Sequence, residues 1–489
     1  EISECLVGSE MCIRDSSGSR QVVEKDGTAI GSNISAGGSL IVYTGGIAHG
    51  VNQETGSALV ANTGAGTDIE GYNKLSHFTI TGGEANYVVL ENTGELTVVA
   101  KTSAKNTTID TGGKLIVQKE AKTDSTRLNN GGVLEVQDGG EAKHVEQQSG
   151  GALIASTTSG TLIEGTNSYG DAFYIRNSEA KNVVLENAGS LTVVTGSRAV
   201  DTIINANGKM DVYGKDVGTV LNSAGTQTIY ASATSDKANI KGGKQTVYGL
   251  ATEANIESGE QIVDGGSTEK THINGGTQTV QNYGKAINTD IVSGLQQIMA
   301  NGTAEGSIIN GGSQVVNEGG LAENSVLNDG GTLDVREKGS ATGIQQSSQG
   351  ALVATTRATR VTGTRADGVA FSIEQGAANN ILLANGGVLT VESDTSSDKT
   401  QVNMGGREIV KTKATATGTT LTGGEQIVEG VANETTINDG GIQTVSANGE
   451  AIKTKINEGG TLTVNDNGKA TDIVQNSGAA LQTSTANGI

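Results

Sequence analysis

Residues Gly440 to Ser477 read GGIQTVSANGEAIKTKINE GGTLTVNDNGKATDIVQNS, one unit written twice in succession. In each unit Gln443 or Leu462 stands two residues after the second glycine, and Val445 or Val464 two residues further on. Side chains two apart on a strand share a face, so both positions point into one interior. A second short run places Thr454 two residues before Ile456, which gives each unit a second strand with an inward aliphatic. Between the strands stands a small corner residue, Ala451 or Ala470, and glycine is expected to supply the left-handed turns.

The unit recurs almost everywhere after Gly18, as GGKLIVQKEAKTDSTRLNN from Gly112 and GGVLEVQDGGEAKHVEQQS from Gly131. Its period of roughly 16 to 19 residues is too short for helical-pair repeats and suits one coil of a solenoid. The fold class expected is all-β: a single-stranded, right-handed parallel β-helix with about 18–19 residues per coil. The position after the glycines holds Gln227, Gln245, Gln261, Gln278, Gln296 and Gln314 in one block and Leu96, Leu115 and Leu134 in another. Coils about 4.8 Å apart bring like onto like, and the glutamine amides form a structural ladder by bonding up the stack. Glu408 in the same position is an exception without an account in the sequence.

Three long units begin at Gly56, Gly151 and Gly350 and contain HFTITGGEANYVVLEN, AFYIRNSEAKNVVLEN and AFSIEQGAANNILLAN. Reading each as two coils puts Phe78, Phe173 and Phe371, all the phenylalanines of the chain, in the Gln/Leu position of the ladder. The count is then about 26 coils and a rod roughly 125 Å long.

Composition agrees. Aromatic residues make up 2% of the 489, and there are 73 glycines but no proline. A large three-dimensional core has little to fill it, while strands that must each donate every N–H to a neighbour exclude proline. A formal charge of −20 disfavours nucleic acid as a partner. Residues 1–16 include LVGSEMCIRDS, which resembles a translated sequencing adaptor and is read as non-native. Both cysteines, Cys5 and Cys12, fall there. Residues 17–489 are read as one continuous solenoid fragment, uncapped at both ends and lacking a signal peptide through truncation.

Chemistry is sparse. No phosphate loop, metal-spaced Cys/His set or GxSxG elbow is present, so no catalytic, cofactor-binding or metal-ligating residue is assigned, no cofactor is expected, and the chain is read as no enzyme. His49, His77, His144 and His272 are read as solitary surface residues, and the acids fall mostly in turns where they bond locally.

The unit GGxQTVxxxGxAxxTxIxx, together with GALVATTRATRVTGTRADGVAFSIEQGAANNILLANGGVLTV from Gly350, resembles the passenger domains of AIDA-type self-associating autotransporter adhesins of the antigen forty-three-like group. The resemblance spans nearly all of Gly18 to Ile489. It implies a passenger displayed on the bacterial surface, anchored in the outer membrane through a C-terminal barrel or released extracellularly. Its implied roles are autoaggregation, biofilm formation and host-cell adhesion. The implied partners are the passenger itself, paired antiparallel on a neighbouring cell, and host surface proteins or glycans. Heptosyltransferase O-glycosylation of repeat Ser and Thr is implied as well. A glycan-binding or glycan-cleaving solenoid and a passive spacer stalk are the alternative readings.

Overall fold

The computed structural model describes residues 4–6 and 18–483. Most of the segment read as non-native, including Cys12, lies outside the described residues, as do the last six residues of the final unit. Every regular element among the described residues is a β-strand, and the chain is a parallel β-solenoid of about 24 turns with about 19 residues per coil. The fold class expected from the repeat is thus the one observed. Two compact units divide at Gln245/Thr246.

In unit 1 the Gly-Gly strands stack in parallel and in register. Leu96 pairs with Leu115 and Leu115 with Leu134, while Val98 pairs with Val117 and Val117 with Val136. All six are buried. Each removes about 1.5–3 kcal/mol of apolar side chain from water, and the stack repeats the contribution coil by coil. Unit 2 follows the same rule, with Val391, Val410, Val428, Val445 and Val464 in consecutive rungs.

The long units differ from the sequence reading. The Gly-Gly strand runs directly from Ala61 to Leu96, from Ala155 to Leu191 and from Ala354 to Leu389 in neighbouring rungs, with no second coil between them. The inserted residues make a hairpin instead. His77–Thr81 runs antiparallel to Asp68–Tyr72 on one side and to Glu84–Asn86 on the other. Ala172–Arg176 and Ala370–Glu374 do the same. Phe78, Phe173 and Phe371 therefore do not occupy the Gln/Leu rung. Each is buried on the backward strand, directly opposite Gly71, Gly165 or Gly363. No side chain fits at the glycine opposite: a Cβ would lie 2.1 Å from the Val51 carbonyl at Gly71, 2.0 Å from that of Val145 at Gly165, and at Gly363 2.4 Å from that of Ile344 and 2.5 Å from Phe371 Cζ. Counting each of the three long units as two coils adds three to the count, which is why the expected number, about 26, exceeds the observed number, about 24.

Glycine does not supply every left-handed turn. The corner before the second strand is made by Lys270 (φ 54°), Glu434 (φ 57°) and Lys453 (φ 54°). Each donates its N–H to a carbonyl of the next coil, Ile287, Ile452 and Thr471, at 2.8–2.9 Å. The coil above holds these residues in a conformation that costs an isolated L-residue about 1–2 kcal/mol.

Candidate adhesive surface

Side chains that alternate with the buried ones face water, and what they can do depends on the interior that holds them in line. In unit 2 the amide nitrogen of Gln278 donates to Gln261 Oε1 (2.8 Å), Gln296 to Gln278 (2.9 Å) and Gln314 to Gln296 (2.7 Å). In unit 1 Gln245 donates to Gln227 (2.8 Å). Every one of these bonds points toward the N-terminus, so the first amide of a run needs an acceptor that is not an amide. A buried carboxylate provides it. Gln227 donates to Asp216 Oδ2 (2.7 Å), and Gln426, which itself accepts from Gln443, donates to Glu408 Oε2 (2.8 Å). Glu408 accepts from Ser397 and Thr419 as well, which accounts for its place in the Gln/Leu position. At the other end a hydroxyl closes the run: Ser325 donates to Gln314 Oε1 and Thr454 to Gln443 Oε1. Burial pushes the Asp216 carboxyl up to about 6 from its ordinary 3.8, against the opposing hydrogen bonds from Thr219, Gln227 and Ser235.

An outer amide ladder follows the same polarity. In unit 1 Asn222 donates to Asn205 (2.8 Å) and Asn205 to Glu186 (3.0 Å). In unit 2 Asn476 donates to Asn457 (2.7 Å), Asn457 to Asn438 (2.8 Å), and Asn328 to Asn310 (2.8 Å), which ends on Asp290 (2.9 Å). The sequence carries a signal for it, an Asn or Asp directly after the second-strand aliphatic, as in Ile437-Asn438 and Ile456-Asn457. A third set joins the coils on either side of each hairpin. The buried amides of Gln53, Gln147 and Gln346 donate to the carbonyls of Val89, Val184 and Leu382.

On the outer face, charges pair from one coil to the next. Lys105 meets Glu84 (2.9 Å), Lys114 meets Glu135 (2.7 Å), Arg407 meets Glu425 (2.8 Å) and Lys469 meets Glu450 (2.9 Å). The Asn86 amide and the Lys105 ammonium hold the Glu84 carboxyl below its usual range. Among the described residues no group of three or more His, Cys, Asp or Glu side chains is placed to hold a metal ion.

The sequence matches the family described as "Adhesin of bacterial autotransporter system, probable stalk", AIDA, over residues 70–132, 164–225, 362–424 and 426–479, about half of the chain. The chain belongs to the AIDA adhesin family. Three of the four AIDA segments begin inside the first strand of a hairpin, so the Phe–Gly pair falls within each of them. A similar solved structure is the crystal structure of the TibC-catalyzed hyper-glycosylated TibA fragment 55–350, at 26% identity, covering 68% of this chain and 97% of that one, with a TM-score of 0.34. AIDA is an adhesin stalk and not an enzyme family, and it implies a cell-surface or extracellular location.

The histidines are exposed but not solitary. His49 meets Asp68 (2.9 Å), His77 meets Glu70 (3.1 Å), His144 meets Asp124 (2.7 Å) and His272 meets Asp290 (2.9 Å). Three of these pairs join adjoining coils, between residues about twenty apart that local reading of the sequence leaves unmatched, while His77 and Glu70 meet across a hairpin. Hydrogen bonds from His77 and from the Gly50 N–H lower the Glu70 carboxyl, and the bond from His144 lowers that of Asp124.

Proposed function

We propose that this chain is a self-associating passenger, carried on the outer membrane by a C-terminal barrel, whose outward charges pair with a second copy running antiparallel on a neighbouring cell. The observation that supports this is the outer face itself: cations and carboxylates alternate between adjacent coils in contacts such as Lys122–Glu141 (3.2 Å) and Lys285–Glu305 (2.8 Å). Exposed ion pairs of this kind contribute about 0–1 kcal/mol each, so exchanging an internal partner for one on another molecule costs little. A column that carries both signs can also match a reversed copy of itself, which a two-fold pairing requires. Many weak contacts repeated along the coils and over many molecules then give avidity without a deep pocket.

Settling of bacteria displaying the full-length protein tests the reading. Clumping should weaken as salt rises through the range where the Debye length shrinks from about 10 Å to about 3 Å. Failure to clump at any ionic strength refutes it. Deleting a block of coils separates pairing from a spacer role, because a spacer tolerates the deletion and a pairing surface loses binding in proportion. Biofilm formation and host-cell adhesion are proposed to follow from the same surface. Exposed strand hydroxyls such as Thr226, Ser396 and Thr415 are proposed acceptors for a heptosyltransferase, checked by intact mass after co-expression with such an enzyme.

A further inference from the structure

One shortened coil of unit 1 has a physical consequence. Between strands Ser190–Val193 and Arg198–Val200 the turn has four residues, and so has the turn between Thr226–Ile229 and Thr234–Asp236. In the coil between them only Tyr213 and Gly214 separate Lys209–Val212 from Lys215–Val217. Gly214 makes the short cut possible: a Cβ there would lie 2.3 Å from the Ser197 carbonyl and 2.5 Å from that of Val194. With two residues missing, the flanking turns overhang a notch of about 560 Å³ within unit 1, lined by both of them and by Tyr213. That volume lies in the range of small-ligand sites.

Two features of the notch are not explained by stability. The Tyr213 and Tyr230 rings stack at 4.2 Å between centroids with 7° between planes, which covers one face of Tyr213. Tyr213 is still 41% exposed and lines the notch, so its open side is turned to it. Beside it Arg198 and Lys215 are direct register partners, two like charges in adjoining rungs, which is unfavourable by itself. Glu179 pairs with Arg198, while Lys215 is exposed, makes no ion pair among the described residues, and has Thr234 as its partner on the next rung. A chain of net charge −20 thus holds an uncompensated cation next to an open aromatic ring.

We infer that the notch at Tyr213 is a binding subsite for an acidic sugar unit of a surface glycan, with the sugar's apolar face on the Tyr213 ring, its carboxylate on Lys215 and its hydroxyls on the exposed side chains of Thr195 and Ser232. The dense hydroxyl lining and the open shape favour a sugar over an apolar peptide side chain. The same two-residue turn recurs at Tyr248–Gly249, where Leu250 stands in place of Lys215, and at Glu429–Gly430, where a carboxylate replaces the ring and meets Lys411 at 3.4 Å, so neither copy has both elements.

The test is a titration of the full chain, followed by ligand-observed NMR, with sialyllactose, a galacturonate trimer and neutral lactose as probes. At least one acidic probe should bind, and lactose should bind about tenfold or more weakly. Sialyllactose binding points to a host glycan and galacturonate binding to a microbial polysaccharide. Lys215→Gln and Tyr213→Ala should each weaken the acidic probe by about tenfold, and Tyr213→Phe should retain it. Lys215→Gln changes an exposed side chain and leaves the stack intact, so loss of folding is no explanation for its effect. Absence of binding by both acidic probes, equal binding of lactose, or full binding by Lys215→Gln overturns the inference.

Discussion

Replacing Asp216 by Asn removes a charge at the start of an amide run while leaving a side chain of the same shape, which can still accept from Gln227 and can donate to Thr219. The folded-state value of about 6 lies above the ordinary 3.8. The folded state therefore holds this proton more tightly than the unfolded one. The associated stability is complete below pH about 4 and is lost as pH rises from 3.8 through about 6. At about 1.4 kcal/mol per pH unit the loss comes to roughly 3 kcal/mol, about a hundredfold in a local opening equilibrium. Asp216→Asn lacks this term. Amide hydrogen exchange over residues 209–240, compared between the two proteins at each pH so that intrinsic exchange rates cancel, reads it directly. Protection of the variant relative to the wild type should rise by about two orders of magnitude between pH 4 and pH 7. A ratio constant to within about threefold across that range refutes the reasoning.

The hydroxyls at the second strand make a matched pair. Thr289 Oγ1 donates to Gln278 Oε1 and accepts from Gln296, so Thr289→Val should cost about 1–3 kcal/mol in chemical unfolding, whereas Thr107, on a leucine coil, has no hydrogen-bond partner among the described residues, and Thr107→Val should be neutral or stabilising. Phe173→Ala should cost about 3–5 kcal/mol and expose the 167–171 turn to limited proteolysis. Gly165→Ala should open the same turn, because its Cβ would lie 2.0 Å from the Val145 carbonyl. Glu434→Gly should raise the unfolding midpoint, with up to about 1 kcal/mol of left-handed strain released.

What the sequence made legible was whatever repeats with the coil. Val98, Val117 and Val136 recur at fixed distances from a Gly-Gly pair, and period-two alternation fixes which way they face. The hairpins were misread because a backward strand keeps the same alternation as a forward one. HFTIT and AFYIR look like another rung until the turns before them are weighed, and Asp367-Gly368 is a hairpin signal. Phe78 and Gly71 lie only seven residues apart, so their pairing belongs to a local antiparallel contact that a search for coil-length periods passes over. Glu408 stood as an exception, and Asp216 drew no notice, because their purpose depends on the direction in which the amides donate, which residue type alone does not carry. The notch at Tyr213 was visible only as a coil two residues short.

The one-way donation of the amide runs also sets rules for how such a protein can change length. A coil copied within a run, between Gln278 and Gln296 for example, arrives with a donor for the coil before it and an acceptor for the coil after it. A cut that separates Gln426 from Glu408 strands a buried amide on one side and an anion on the other. Gene duplication and laboratory recombination should therefore succeed at interior joints and fail where a carboxylate begins the series.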